Sequence, residues 1–258
     1  MCLALIALDA HPKHAVVIAA NRDEHHARVA APAAWWPDGW VAGRDLSAGG
    51  TWLAVTRTGR FALVTNVREA GHRDVEAPSR GALVTRVVAD AATPAQSVAG
   101  VVNAGAAYNG FNLIAGDLAS AFWGSNRVDG VRALAAGIHG ISNAALDTPW
   151  PKVLRSKAAF AAWCANPASD VEALLAILAD RTLAADPLLP ATGVALEWER
   201  RLSSPFIVGE EVGYGTRCST VVMLGRDGHA RFVERTFDRA GNPTGDVDLR
   251  FPLSAGSR

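Results

Sequence analysis

The chain has 258 residues, 50% of them apolar and 19% charged, and its 25 basic and 25 acidic side chains cancel. That is the profile of a soluble globular protein with room for a sizeable core, and the lack of a basic surplus argues against a nucleic-acid partner. Three scattered cysteines (Cys2, Cys164, Cys218) without a CxxC pair argue against a disulfide framework or a zinc site, so neither metal nor cofactor is expected.

Two apolar runs open the chain, "CLALIAL" and "AVVIAAN", joined by a turn on Pro12. Both are apolar on both faces, which predicts strands in a sheet covered on each side. The first run is short and Asp9 interrupts it too early for a signal peptide. No later run reaches the ~18–20 apolar residues of a membrane span, so a cytoplasmic protein is expected.

"TWLAVTRTGRFALVTNV" predicts a second hairpin bending at Thr58-Gly59, and Leu83, Val84, Val87 and Val88 recur at helical spacing in "SRGALVTRVVAD". "TPAQSVAGVVNAG" predicts a helix capped by Thr93 with Pro94 in its first turn. "GFNLIAGD" and "SAFWGSN" predict another hairpin; "KVLRSKAAFAAWCAN" and "SDVEALLAILADRT" predict two more helices. The proline-rich stretch from Leu183 to Pro205 is expected to be an irregular surface excursion. "TRCSTVVMLGRDGHARFVERTF" is the clearest hairpin, turning at Asp227-Gly228.

Nothing repeats at a fixed period and no linker divides the chain, so residues 1–258 are expected to form one α+β domain. Grouped helices and hairpin-linked strands predict antiparallel sheets with helical layers outside. "GRDLSAGG" lacks the lysine and spacing of a phosphate loop.

Cys2 is small enough for the initiator methionine to be trimmed, which would leave one residue with a thiol and a free α-amine. The amine, which ordinarily titrates at ~7.7–8.0, can act as a base and also favours the thiolate. A nucleophile activated in this way suits covalent acyl transfer. The alternative is a small apolar residue in a strand. His25 and His26 have no ligand partner at diagnostic spacing and are expected in a solvated loop. Trp35, Trp36 and Trp40 cluster with Pro32 and Pro37, and such a cluster either covers a loop or lines a pocket for a large apolar ligand.

"NRDE" at Asn21 to Glu24 is followed in order by "GGTWLAV" (49–55), "VTNVRE" (64–69), "YNGFNL" (108–113), "GISN" (140–143) and "YGTRCST" (214–220). In these segments the chain resembles the NRDE, or transport-and-Golgi-organisation, family, a branch of the N-terminal nucleophile hydrolase superfamily. The resemblance implies a four-layer αββα sandwich of two antiparallel sheets between helical layers. It extends to the penicillin V acylase and bile-salt hydrolase relatives, which use a cysteine released at position 2. Carried over, Cys2 is the nucleophile, Arg22 holds its thiolate and Asp23 orients the α-amine. Asn66 and Asn143 serve the oxyanion and substrate, and Arg217 is the late arginine near the nucleophile. Asn21 and Asn112, with Trp35 and Trp36, are the expected substrate-binding positions. The relatives space their arginine and aspartate three apart, whereas Arg22 and Asp23 are adjacent and should point to opposite faces unless the strand ends or kinks. A regular strand over 216–222 would likewise turn Arg217 and Cys218 to opposite surfaces, making Cys218 a core residue.

Two functions stay open on this reading. One is a hydrolase of a non-peptide amide bond that passes through an acyl-cysteine and takes a small-molecule amide. The other is a non-enzymatic carrier on the same fold, handling haem or acyl-chain metabolites such as acyl-coenzyme A.

Overall fold

Strands β1 (Cys2–Leu8) and β2 (His14–His25) pair antiparallel, with Leu8 opposite Val16 at one end and Cys2 opposite Arg22 at the other. The computed structural model describes residues 2–71, 74–166, 168 and 170–254; the side chain of Cys2, the expected nucleophile, lies outside the described residues. Both strands are apolar almost throughout because each face meets a different core. Ala4, Ile6, Val16 and Ile18 enter one, and Leu3, Leu5, Val17 and Ala19 enter another.

A meander follows: β3 (Ala30–Trp35), β4 (Trp40–Asp45), β5 (Leu53–Thr56) and β6 (Phe61–Asn66). Gly59 at the last bend takes φ +80°, a conformation open to glycine. Helices α1 (Gly81–Ala89) and α2 (Pro94–Asn103) come next. Thr93 caps α2 as the sequence predicts: its hydroxyl accepts from the Gln96 N–H while the Gln96 side chain accepts from the Thr93 N–H. The chain continues through β7 (Phe111–Gly116), β8 (Ala121–Ser125), β9 (Val128–Ala133) and β10 (Gly137–Ile141). Helices α3 (Pro151–Ala165), α4 (Val171–Leu178) and α5 (Leu196–Arg201) precede the closing strands β11 (Tyr214–Gly225), β12 (His229–Phe237) and β13 (Pro243–Pro252). No helix among the described residues is long and apolar enough to cross a membrane.

Six strands form one sheet, in the order β10-β1-β2-β11-β12-β13, and seven form the other, β3 to β9 in sequence order; the described pairings are all antiparallel. The sheets bury a shared core in which Ile6 and Ile18 belong with Leu53, Leu63 and Ile114. Helices α3 and α4 cover the outer face of the six-stranded sheet through Phe160, Leu174 and Leu178. Helices α1 and α2 cover the other sheet through Leu83, Val87, Val98 and Val101. The arrangement is helices, sheet, sheet, helices, an α+β sandwich of two antiparallel sheets.

The sequence reading omits β3, β4, β9, β10 and β13, and four of these five are sheet edges. Edge strands need only one apolar face or none: β9 is mostly exposed, β10 is built from "GIHGI", and β13 alternates the charged Asp246, Asp248 and Arg250 with the apolar Val247, Leu249 and Phe251. Pro32 is tolerated inside β3 because that strand is also an edge. The excursion from Leu183 to Pro205 is irregular except for α5 and one short helical turn, Asp186–Leu188.

Candidate functional site

Among the described residues the β1–β2 ladder reaches Cys2–Arg22, and β2 runs on through Asp23 and Glu24 to His25. On its other edge β2 pairs with β11, where Thr216 faces Asp23 and Cys218 faces Arg22. Arg217 is therefore an extra residue on β11, a bulge at the level of Arg22 and Asp23. The strand over 216–222 is not regular as expected, yet Cys218 is still buried.

Alternation sends Arg22 and Asp23 to opposite faces, and β2 does not kink between them. Arg22 lies between the sheets, its guanidinium 4.6 Å from the centroid of the Trp52 ring. Asp23 is turned the other way; its Oδ1 accepts from the Thr216 hydroxyl at 2.7 Å. Both still line one cleft of about 320 Å³, together with Thr51, Trp52 and Asn66. Burial pushes the Asp23 carboxyl above its ordinary value, against the opposing charges of Lys152 and Arg22. Lys152 is itself 1% exposed, in the first turn of α3.

The cleft closes where "GGTW" meets the start of α1. A Cβ on Gly50 would lie 2.4 Å from the Gly81 carbonyl carbon, so only glycine allows that approach. At the rim Arg28 is held by Asp45 at 2.6 Å and Arg80 donates to the Gly110 carbonyl at 2.9 Å. A second compartment of about 400 Å³ shares Glu24, Arg28, Asn66, Arg80 and Asn109 with the cleft. Its far wall is more apolar, with Val194, Trp198, Leu202 and Tyr214. His25 belongs to this wall, at the end of β2 with its ring edge-on to Tyr214, and not to the loop expected for it.

The four asparagines are placed differently from one another. Asn66 lines the cleft at the end of β6. Asn143 is buried behind it: its Nδ2 donates to the Asn66 carbonyl at 3.1 Å, and its own carbonyl accepts from the Arg68 N–H. Asn112, expected at the substrate, is engaged inside the core with Thr65, the Ala144 carbonyl and the Trp123 indole N–H, and lines neither cleft nor compartment. Asn21 is likewise engaged, donating to the carbonyls of Leu178 and Pro205 and accepting from Ser219. It ties β2 to the end of α4. Arg217 donates Nη1 to the carbonyls of His25, His26 and Arg28, which fastens the end of β2.

Trp35 and Trp36 line neither the cleft nor the compartment. Trp35 meets Phe251 edge-on and carries Arg57 over its ring, and Trp36 donates to the Ala42 carbonyl under Arg44. The tryptophan in the cleft is Trp52, from "GGTWLAV".

Four buried charged residues escape the sequence reading. Arg68 and Glu199 pair at 2.5 Å, almost fully buried, and Glu199 also accepts from the Thr192 N–H and hydroxyl. That cluster pins the excursion beside the second compartment. Lys152, one of only three lysines, opens α3 where a basic residue opposes the helix dipole. Glu234 is 1% exposed between the sheets, accepting from the Ala33 N–H at 2.7 Å and the Thr220 hydroxyl at 3.2 Å. Its signal was in the sequence: Ala230, Phe232 and Glu234 alternate onto one face of β12, and the first two are core.

Comparison with known proteins agrees with the fold. Residues 1–239 match the family Transport and Golgi organisation 2. The Homo sapiens "Transport and Golgi organization protein 2 homolog" is 31% identical over 257 residues, 92% of this chain and 93% of that one. The Drosophila melanogaster "Transport and Golgi organization protein 2" is 29% identical over 266 residues, 92% of each. Among solved structures, the mutant C2A conjugated bile acid hydrolase from Clostridium perfringens superposes with a TM-score of 0.51 at 10% identity, covering 99% of this chain and 98% of that one. At that identity the likeness is one of fold, that of the N-terminal nucleophile hydrolases.

Proposed function

The chain belongs to the Transport and Golgi organisation 2 family, and on that premise we propose that it hydrolyses a non-peptide amide through an acyl-cysteine on Cys2. The observation that carries this reading is the register at Cys2. Cys2 stands in register opposite Arg22, and Arg22, Asp23 and Asn66 share one cleft at that point. Residue types that acyl transfer needs thus converge from three distant segments.

In this reading removal of Met1 frees the α-amine of Cys2. The amine takes the thiol proton, and Sγ attacks the amide carbonyl carbon. Arg22, held over Trp52, favours the thiolate by charge. The Asn66 side chain donates to the oxyanion of the tetrahedral intermediate, and Asn143 fixes the Asn66 backbone from behind; such a donor is worth roughly 3–4 kcal/mol. Collapse expels the amine, which takes back the proton, and water then releases the acid from the acyl-cysteine. Asp23 orients the α-amine, and Arg217 holds the β2 end that carries these groups.

A second reading, a carrier of haem or of an acyl-chain metabolite, is favoured by one observation, the apolar wall of Trp198, Leu202, Val194 and Tyr214. Mass spectrometry separates the two. Wild type and Cys2→Ala are incubated with a panel of acyl amides, and both adducts and products are followed. The hydrolase reading requires a mature chain lacking Met1, and a Cys2-linked acyl adduct that decays to product in the wild type alone. Product formed equally by Cys2→Ala rejects the mechanism. Binding of haem or acyl-coenzyme A by a wild type that turns over no amide establishes the carrier.

A further inference from the structure

Arg22 and Trp52 line a second space as well as the cleft. Beyond them is a cavity of about 200 Å³, walled by Pro32, Arg217, Cys218, Glu234 and Phe237, with Thr236 and Thr244 also in its lining. The pair Arg22 and Trp52 is thus a partition between two chambers.

Two guanidiniums line the rear chamber, those of Arg22 and Arg217. Neither Arg22 nor Arg217 forms an ion pair among the described residues. Arg22 is 6% exposed and its Nη1 is buried without a hydrogen-bond partner among them; the same holds for Nε of Arg217. Burial and the nearby charge of Arg22 hold the Arg217 guanidinium below its ordinary pKa. The one carboxyl in the chamber lining, Glu234, accepts from Ala33 and Thr220 and from neither guanidinium. Buried donors left unmade are costly, and like charges side by side add to the cost. An anion supplied from outside removes both penalties at once.

The walls say which anion. Ala30, Ala31, Pro32 and Phe237 give the chamber an aliphatic and aromatic side opposite its charged one. Inorganic phosphate would leave that side facing a fully hydrated ion, whereas a carboxylate with a short hydrocarbon tail satisfies both. Guanidinium forks also match carboxylate geometry. We propose that the rear chamber binds a short-chain monocarboxylate, its carboxylate between Arg22 and Arg217 and its tail against Pro32 and Phe237. The site does not depend on any step of amide hydrolysis.

Isothermal titration of the full chain with sodium butyrate, and with butyramide as the uncharged counterpart, tests this. The proteins are wild type, Cys2→Ala, Arg217→Gln and Thr244→Phe; Thr244 is exposed on the edge strand β13, so Thr244→Phe fills the chamber without entering the core. Butyrate should bind wild type, and should bind Cys2→Ala at least as tightly, because no Cys2 thiolate then competes for Arg22. Butyramide should bind about tenfold more weakly or worse, as should butyrate to Arg217→Gln and to Thr244→Phe, the size expected for losing one charged hydrogen-bonded contact. Urea midpoints and circular dichroism confirm that each variant is folded. The proposal is overturned by no butyrate binding to wild type, by equal binding of butyramide, or by full affinity in both chamber variants. Loss of binding in Cys2→Ala also overturns it, because the anion would then belong beside Cys2 in the front cleft.

Discussion

The Arg22 guanidinium sits 4.6 Å from the centroid of the Trp52 ring, and that contact exists because position 43 has no side chain. A Cβ on Gly43 would come within 2.2 Å of the Trp52 ring. A glycine on β4 therefore decides where the indole of the residue just before β5 rests, and the indole decides where an arginine on β2 rests. The wall between the two chambers is built from a strand of each sheet and the turn that leads into β5.

Gly43→Ala should lower stability by about 1–3 kcal/mol through overpacking against Trp52. In urea titrations the double variant Gly43→Ala/Trp52→Leu should cost less than the sum of the two single changes. Additive costs would show that the two positions do not meet.

Burial pushes the Glu234 carboxyl from 4.5 up to about 7. Between those values the folded chain keeps a proton that the unfolded chain has released, so this group's contribution to stability falls as pH rises. Glu234→Gln removes the titration and preserves the shape. The stability of Glu234→Gln relative to wild type should grow by about 3 kcal/mol from pH ~4.5 to ~7, at about 1.4 kcal/mol per pKa unit. Parallel stability curves in urea would contradict a buried, protonated Glu234.

Arg68 and Glu199 form a buried pair, and removing one partner strands the other. Glu199→Ala or Arg68→Ala should each destabilise by about 3–5 kcal/mol, while replacing both with leucine should recover much of the loss. Limited proteolysis between residues 183 and 202 should speed up in the single variants, because Glu199 also holds Thr192.

Native-state alkylation should single out Cys2. Burial pushes Cys164 up to about 11 and Cys218 well above its ordinary value, so neither supplies thiolate at neutral pH. Peptide mass spectrometry after brief iodoacetamide treatment should find label on Cys2 alone. Cys2→Ala should take none, and all three thiols should react in urea. Comparable rates at Cys218 in the folded protein would show that its site is open to reagent.

Local pattern in the chain determined four hairpins, helices α1 to α4 with the Thr93 cap of α2, and the α+β class, because those signals need only neighbours a few residues apart. The strands at the sheet edges were not legible, since an edge strand lacks the two-sided apolar pattern that marks a buried one. For the site, the sequence supplied residue types in recognisable contexts: Arg22, Asp23 and Asn66 do share a cleft. It could not say which polar groups remain available there. Asn21, Asn112 and Asn143 stand in equally promising contexts, yet the fold engages each one elsewhere, Asn21 with a carbonyl 157 residues away. It was also tertiary structure that put Trp52 in the cleft in place of Trp35 and Trp36, and that let adjacent Arg22 and Asp23 reach one space. The physical reason is the same in each case. A side chain's chemistry is local, but the partner that takes its hydrogen bonds, and the strands that pack beside it, are set by long-range packing.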